Sequence, residues 1–237
     1  MDNIVQFKVT GKYALFTDPL TRIGGEKYSY QIPTYEALKG ILSSVYWKPT
    51  IIWIIDKVRV MKPIKTQTRS ARPVNFSGGN SLSIYTYLSD VEYQVQAYFE
   101  WNPHREDLVG DRNDNKHYFI AKRMIERGGR RDIFLGTREG QGYVESCPFG
   151  EGSGFYDRYG ELAFDLMFHG FDYPDEIGKD EFYARFWRPK MINGVITFLR
   201  PEQCEIRKKV RTMKAQPPAT VGAEETGLLE GYEEGRS

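Results

Sequence analysis

Lysine and histidine stand side by side at residues 116 and 117, closing the polar stretch Asp-Arg-Asn-Asp-Asn-Lys-His that begins at Asp111. A histidine with its ordinary pKa of about 6.5 can accept or donate a proton near neutral pH. An adjacent ammonium group can stabilise the negative charge that develops on a phosphorane. Lys116 and His117 therefore suit metal-free RNA cleavage, in which a 2′-hydroxyl attacks its own 3′-phosphate. The competing interpretation is that both are ordinary surface residues at the start of a helix.

Tyr46, in the sequence Val-Tyr-Trp-Lys-Pro-Thr, is a second candidate for this chemistry. A phenol is a weak base at neutral pH because its reference pKa is about 10. Neighbouring cations could lower that pKa, or the hydroxyl could simply hold the 2′-hydroxyl by a hydrogen bond. The alternative is a core or rim tyrosine beside Trp47, since the chain has sixteen tyrosines.

The segment 128–139, Gly-Gly-Arg-Arg-Asp-Ile-Phe-Leu-Gly-Thr-Arg-Glu, is the densest in glycine and arginine. Paired glycines expose backbone N–H groups to a ligand, and arginine binds phosphate through two parallel hydrogen bonds. The segment therefore predicts a phosphate contact. Its alternative is a helix stop followed by a strand with a charged edge.

Other common sites do not fit the sequence. The three histidines have no paired ligand spacing, so a zinc site is not predicted. Residues 111–115 resemble the start of a calcium loop, but Lys116 stands where the turn glycine belongs and Lys122 where the bidentate glutamate belongs. No Walker A motif, dinucleotide fingerprint or serine nucleophile elbow is present. The residues imply no cofactor.

The net charge of +1 hides a segregation of basic residues. Residues 48–72 contain seven basic side chains and one acid, residues 116–131 contain six and one, and residues 205–214 contain five and one. Such clusters are typical of surfaces that follow a phosphate backbone, because each neutralised phosphate releases condensed counterions. Charge runs are also common on solvated faces, so nucleic-acid binding is one of two interpretations.

Hydrophobic periodicity predicts the elements that must position these residues. Alternation from Val5 predicts a first strand, and Thr34 is suited to cap a helix whose apolar stripe ends before Pro49. The next segments are predicted to be a buried strand over 51–60, a long loop over 65–81 and a strand over 91–99.

A second helix is predicted over 117–127, with Phe119, Ile120 and Met124 on its inner face and Gly128-Gly129 as its stop. A short strand over 133–135 follows. The order strand, helix, strand, strand, helix, strand is that of a ferredoxin-like (RRM-like) βαββαβ domain of the α+β class. We expect this domain to occupy residues 1–140.

Residues 141–214 are predicted to form a β-rich C-terminal subdomain, with a hairpin turning at Asn193-Gly194. The acidic tail 215–237 contains five glutamates and few apolar residues, and is predicted to be disordered. No run of eighteen apolar residues exists, so no membrane span or membrane partner is predicted. The N-terminus lacks the features of a signal peptide, and the two cysteines suit a reducing compartment, so we expect a cytoplasmic protein.

Five motifs in colinear order resemble the Cas5 family of the type I-C (Dvulg) CRISPR subtype, within the repeat-associated mysterious protein (RAMP) superfamily. The resemblance covers roughly residues 4–213, and several long motifs together make it specific. The motifs are Ala-Leu-Phe-Thr-Asp-Pro (14–19), Pro-Thr-Tyr-Glu-Ala-Leu-Lys-Gly-Ile (33–41), Tyr-Trp-Lys-Pro-Thr (46–50), Asp-Arg-…-Lys-His (111–117) and Gly-Gly-Arg-Arg-Asp-Ile-Phe-Leu-Gly (128–136).

The resemblance implies a ferredoxin-like domain with a β-rich C-terminal part. It also implies metal-independent cleavage of precursor CRISPR RNA at the 3′ base of the repeat hairpin, leaving a 2′,3′-cyclic phosphate and a 5′-hydroxyl. The catalytic tyrosine, lysine and histidine of the family fall on Tyr46, Lys116 and His117. The predicted RNA contacts are Lys48, Arg112, Lys122, Arg123, Arg130, Arg131 and Arg138.

The implied partners are the CRISPR repeat RNA, the 5′ handle of the mature guide RNA, and the backbone and large subunits of a type I-C Cascade complex. Target DNA is a further candidate partner. Two other functions stay open. One is a non-catalytic subunit that binds the guide-RNA handle, and the other is an RNA-binding module unrelated to CRISPR.

Overall fold

Thirteen strands and three α-helices are found in the residues that the structure, a computed structural model, describes: 3–17, 26–72, 74 and 76–215. The helices are α1 (Tyr35–Val45), α2 (Asp114–Glu126) and α3 (Pro174–Ile177). The strands are β1 (Val5–Ala14), β2 (Lys27–Tyr28), β3 (Ile51–Val60), β4 (Thr66–Ala71), β5 (Ser83–Trp101), β6 (Ile133–Phe134), β7 (Gln141–Ser146), β8 (Glu161–Ala163), β9 (Met167–Asp172), β10 (Glu181–Trp187), β11 (Lys190–Ile192), β12 (Val195–Thr197) and β13 (Ile206–Thr212). Two 3₁₀ helices cover Glu106–Asp111 and Pro201–Gln203.

The strands of the described residues form two sheets. The larger runs in the order β6-β7-β1-β5-β3-β12-β11-β8, with β2 and β4 also paired to β5, and the smaller runs β13-β10-β9. Every pair is antiparallel except β2 with β5. Helix α1 packs against β3 and β9, α2 packs against β1 and β7, and the two helices contact each other. The chain is thus a mixed α and β protein built mainly on antiparallel sheet.

The strongest periodic signals gave correct elements. Phe7 and Val9 on β1 are fully buried, and β3 has the predicted bounds. The Thr34 hydroxyl oxygen accepts a hydrogen bond from the Ala37 N–H at 3.1 Å, which caps α1 as expected. Gly128, at φ 81°, follows the end of α2 in the left-handed conformation that favours glycine.

Two predicted segments differ from the structure. The predicted loop 65–81 contains strand β4, which pairs along the first part of β5. Its side chains are exposed or half-buried, so it has no core face to produce an apolar period. The predicted inner face of α2 was wrong in part: Ile120 and Met124 do pack against the core, but 54% of Phe119 is exposed. The fully buried positions are His117, Ala121 and Ile125. A buried polar histidine and a small alanine obscured that stripe.

The large sheet contains strands from both sides of residue 140. Strand β7 pairs with β1, so that Val144 lies opposite Val9, and β12 pairs with β3. The two predicted units therefore share one sheet, a long-range pairing that local patterns do not report. The hairpin at Asn193-Gly194 is confirmed, with φ of 47° and 80° as a two-residue turn requires. The predicted tail beyond Ala215 lies outside the described residues.

Buried polar contacts fix α1 against the C-terminal part of the chain. The Lys39 ammonium and the Glu176 carboxylate are 2.6 Å apart. The Glu36 carboxylate accepts a hydrogen bond from the Phe171 N–H at 3.0 Å. Because Tyr46 follows directly on α1, these contacts also fix the position of its ring.

No helix among the described residues has the length and apolar content needed to cross a membrane.

Candidate active site

Tyr46 leaves the end of α1 in an extended conformation, with φ −155° and ψ 128°. Its N–H donates to the Leu42 carbonyl at 2.7 Å, and its own carbonyl accepts from the indole N–H of Trp53 at 2.8 Å. The residue is only 4% exposed. The backbone of Tyr46 is therefore held at both ends, and its ring is aimed into the protein.

His117 meets that ring from the first turn of α2. Nδ1 of the imidazole lies 2.8 Å from the Tyr46 hydroxyl oxygen, although 71 residues separate the two in sequence. The imidazole has no exposed surface. Two rings of β5 pack edge-on against it, with centroids 5.4 Å away for Trp101 and 6.1 Å for Phe99. His117 is thus a buried histidine in direct contact with a phenol.

The hydrogen bonds determine which imidazole nitrogen carries the proton. Nε2 lies 2.7 Å from the main-chain oxygen of Asp111. A carbonyl oxygen can only accept, so Nε2 is the protonated nitrogen and donates to it. In the neutral imidazole Nδ1 is then a free lone pair, and the Tyr46 hydroxyl donates to it. The arrangement leaves Nδ1 as the atom that can take up a proton, and Tyr46 as its donor.

Lys116 lies beside this pair and is linked to it through Asp111. The Lys116 ammonium forms an ion pair with Oδ1 of the Asp111 carboxylate, while Oδ2 accepts from the Thr50 hydroxyl at 2.9 Å. The Lys116 side chain is 48% exposed. The structure therefore brings Tyr46, Lys116 and His117 into one cluster, with the cation on its solvent side.

The site's electrostatics favour a protonated tyrosine. Burial raises the pKa of Tyr46 to about 12, the nearby Asp111 carboxylate adds to the shift, and Arg130 opposes it. The sequence had left open a Tyr46 pKa lowered by neighbouring cations, but burial outweighs the effect of Arg130. The pKa of the Asp111 carboxyl is lowered instead, and the hydrogen bond from Lys116 is the main cause. At neutral pH Tyr46 can therefore donate a proton to His117 as it accepts another, but it cannot act as a phenolate.

The predicted RNA-binding residues divide into two groups. The turn after α2 reaches the site, because the Arg131 N–H donates to the Ser44 carbonyl of α1 at 3.2 Å and Arg130 is close enough to influence Tyr46. Lys48 is exposed two residues after Tyr46. The others lie apart: Lys122 and Arg123 are exposed one to two turns along α2, and Arg138 is exposed in the β6–β7 turn.

Arg112 has a different environment from the other predicted contacts. It is half-buried, and its Nη2 donates to the Asn102 carbonyl at 2.9 Å. Its Nε is buried without a hydrogen-bond partner among the described residues. The guanidinium thus holds the backbone next to the site, and part of it has spare donor capacity.

Sequence reasoning missed two contributors, Asp111 and Thr50. Asp111 entered as the first residue of a polar stretch, of a failed calcium loop and of a family motif, and Thr50 only as part of a motif, so neither was given a role. The available signal was position, since Asp111 lies six residues before His117 in the polar stretch that precedes the predicted helix. No group of three or more His, Cys, Asp or Glu side chains in the described part of the chain is placed to hold a metal ion.

Comparison with known proteins gives concordant matches. The family model Cas_Cas5d, described as "CRISPR-associated protein (Cas_Cas5)", matches residues 4–199. A Thermus thermophilus protein named CRISPR pre-crRNA endoribonuclease Cas5d is 28% identical over 176 residues, which is 69% of this chain and 73% of that protein. A protein of the same name from Mannheimia succiniciproducens is 43% identical over 68 residues, and this match spans only 29% of either chain.

A crystal structure described as that of a CRISPR-associated protein has the same fold. It superposes with a TM-score of 0.74 at 36% sequence identity, covering 86% of this chain and 96% of that one.

Proposed function

The chain belongs to the Cas5d family of CRISPR-associated proteins, and from this premise we propose that it is a metal-independent endoribonuclease that processes precursor CRISPR RNA. Cleavage falls at the 3′ base of the repeat hairpin and leaves a 2′,3′-cyclic phosphate and a 5′-hydroxyl. The observation that carries the proposal is the 2.8 Å contact between Tyr46 and His117, in a chain whose named relatives are pre-crRNA endoribonucleases.

The proton transfer uses both rings. The 2′-hydroxyl of the RNA gives its proton to the Tyr46 oxygen as Tyr46 passes its own proton to Nδ1 of His117. The 2′-oxygen forms its bond to phosphorus while the bond from phosphorus to the 5′-oxygen breaks, and that electron pair leaves with the 5′-oxygen. A concerted transfer of this kind needs no phenolate, which suits a tyrosine whose pKa is raised to about 12.

Lys116 supplies positive charge to the phosphorane. Its ammonium is half-exposed beside Asp111, so a phosphate can approach it without unfolding the site. The attacking and leaving oxygens lie on opposite sides of phosphorus in an in-line displacement. One group therefore cannot both accept the proton of the 2′-hydroxyl and donate a proton to the 5′-oxygen. We assign Lys116 the protonation of the 5′-oxygen as well. Solvent then returns a proton to the amine and removes the proton held on Nδ1 of His117.

The fold of the site also supports a finer description. Taken in chain order, β1, β3, β5 and β7 lie in the spatial order β7-β1-β5-β3, with α1 between the first two and α2 between the last two. We propose that this part is the ferredoxin-like domain. After cleavage the exposed basic residues retain the 5′ handle of the guide RNA. The protein then acts as a subunit of a type I-C Cascade complex, together with the backbone and large subunits. Target DNA is a further ligand.

A non-catalytic handle-binding subunit is the second candidate. The observation that favours it is the complete burial of His117, whose two ring nitrogens both have hydrogen-bond partners. Under this alternative the Tyr46–His117 contact only stabilises the packing of α1 on α2.

The deciding experiment uses labelled repeat RNA in excess EDTA, with a matched RNA carrying a 2′-deoxynucleotide at the scissile position. The enzyme should cut the first and leave the second uncut but bound, and the 5′ product should end in a cyclic phosphate. Cleavage of the deoxy substrate, or loss of cleavage in EDTA, would refute the proposed chemistry. Binding of both RNAs without any cleavage would favour the second candidate.

A further inference from the structure

We infer that Asp111 is the positioning residue of this site: its carbonyl orients His117, and its carboxylate holds Lys116 and balances the charge that His117 acquires. The inference rests on the proposed function. It assigns a role to an acid that lies in neither the phosphate-binding set nor the set of three catalytic residues.

One residue makes all of these contacts. The Asp111 carbonyl lies 2.7 Å from Nε2 of His117 and selects the protonated nitrogen. Its Oδ1 pairs with the Lys116 ammonium. Its Oδ2 accepts from the Thr50 hydroxyl at 2.9 Å and lies 3.5 Å from Nε2 of His117. Asp111 is therefore the physical link between the imidazole and the ammonium.

A carboxylate at this place works against RNA binding. It is 28% exposed at the rim of the cluster, where it repels the phosphate that Lys116 must meet. The carboxylate must therefore contribute something other than RNA binding. Once His117 has taken the proton from Tyr46, the ring carries a full positive charge, and the carboxylate is the one anionic group within 4 Å of the ring among the described ion pairs. An anion at this distance favours the charged form of the ring.

The remaining neighbours of the imidazole cannot supply that charge. From β5 it meets the uncharged rings of Phe99 and Trp101, and from the end of α1 it meets the neutral hydroxyl of Tyr46. On its own helix the adjacent Lys116 is a cation, and Arg130 lies near Tyr46. Neither cation can compensate a positive charge on the ring. Tyr46, His117 and Asp111 thus form a chain in which the Asp111 carbonyl orients the imidazole and the Asp111 carboxylate compensates its charge.

The test is Asp111→Asn, which keeps the carbonyl, the size and one hydrogen-bond acceptor but removes the charge. We expect single-turnover cleavage of repeat RNA to fall about 100-fold, within the range for a lost proton-transfer contribution. RNA affinity should stay equal or become tighter, because an anion has been removed.

Thr50→Val separates anchoring from charge. It removes one hydrogen bond to the carboxylate and leaves the anion in place, so we expect the cleavage rate to fall about fivefold to tenfold. The control is Asp114→Asn, which removes the same charge from the exposed first turn of α2 and should leave the rate unchanged.

A wild-type cleavage rate in Asp111→Asn, with His117→Ala inactive, would overturn the inference alone. If wild-type protein does not cleave at all, the proposed function fails. If His117→Ala cleaves normally, the proposed proton relay fails. In either case this inference fails too. Thermal unfolding is measured for each variant. If Asp111→Asn does not fold, Thr50→Val decides the matter: the predicted loss supports the inference and a wild-type rate overturns it.

Discussion

The Nε2–H of His117 donates to the main-chain oxygen of Asp111, 2.7 Å away, and this bond makes the opposite ring nitrogen the acceptor for Tyr46. The imidazole is therefore oriented by backbone, which no side-chain substitution at residue 111 removes. Its partner comes from the other helix, so the pair depends on how α1 and α2 pack. The following predictions test the proton transfer, the packing that supports it and the RNA-binding surface.

Tyr46→Phe should abolish most of the cleavage while leaving RNA binding intact. The variant keeps the ring but removes the hydroxyl that links the RNA to His117, so we expect a loss of about 100-fold or more in single-turnover rate. Leaving Nδ1 of a buried imidazole without a partner should also cost about 1–3 kcal/mol of stability. Tyr118→Phe, at the residue that follows His117 on α2, is the matched control and should cleave like wild type. Equal rates for Tyr46→Phe and wild type would contradict the relay.

The stability of the fold should fall on acidification because of His169. Burial lowers the pKa of this histidine to about 3, with the neighbouring Arg185 adding to the effect. Below about pH 6.5 His169 binds a proton in the unfolded chain but stays neutral in the folded chain. Its stabilising contribution is therefore present at neutral pH and is lost as the pH falls toward 3. At pH 5 the loss is about 2 kcal/mol.

The measurement is the difference in melting temperature between pH 7.5 and pH 5.0. His169→Gln should reduce that difference, because an amide keeps a donor for the Leu199 carbonyl but has no proton to gain. His104→Gln, at an exposed position, should leave the difference as in wild type. A drop in His169→Gln as large as in wild type would assign the acid sensitivity to other groups.

Removing Lys39 should destabilise the protein more than removing an exposed lysine. Its partner Glu176 is largely buried, and burial raises the pKa of that carboxyl although Lys39 opposes the shift. In Lys39→Met the carboxylate loses its counter-charge, at a cost of about 3–5 kcal/mol. Chemical denaturation gives the free energy of unfolding.

Two comparisons sharpen the prediction about Lys39. The double variant Lys39→Met with Glu176→Leu should recover much of the loss, because no unpaired charge stays buried. Lys190→Met breaks an exposed pair with Glu161 and should cost less than about 1 kcal/mol. A similar small loss for Lys39→Met would show that this ion pair does not hold α1 in place.

Arg130→Ala should weaken RNA binding and reduce its dependence on salt. Each lost phosphate contact is expected to lower the slope of log K against log salt by about 1. Lys190→Ala, on β11 and outside the predicted contacts, is the control for a simple loss of positive charge. Titrations at several salt concentrations measure both slopes. An unchanged slope for Arg130→Ala, or equal changes in the two variants, would remove Arg130 from the RNA-binding surface.

Local signals in the sequence were enough for elements whose pattern is set by burial on one side. The alternation of β1, the apolar run of β3 and the Thr34 cap all gave correct structure, because each records a single local constraint. They failed where the decisive contact is non-local. Strand β4 has no core face, and the pairing of β7 with β1 joins residues more than a hundred positions apart.

The same distinction applies to the site. Lys116 and His117 are adjacent in sequence, so their shared chemistry could be proposed from the residues. Tyr46 lies 71 residues from His117, and only the family resemblance joined them. The direction of the Tyr46 pKa shift could not be predicted either, because it depends on burial and on the Asp111 carboxylate. Asp111 was missed because its hydrogen bond with His117 is made by its main-chain oxygen, which the residue type does not encode.

The most direct test of the central claim is the single-turnover cleavage rate of His117→Ala on labelled repeat RNA in EDTA, with RNA affinity measured on the same preparation. If His117 accepts the proton that Tyr46 relays, the variant binds the RNA with near wild-type affinity and cleaves it at least about 100-fold more slowly. A folded His117→Ala protein that cuts the repeat at the wild-type rate would contradict the account.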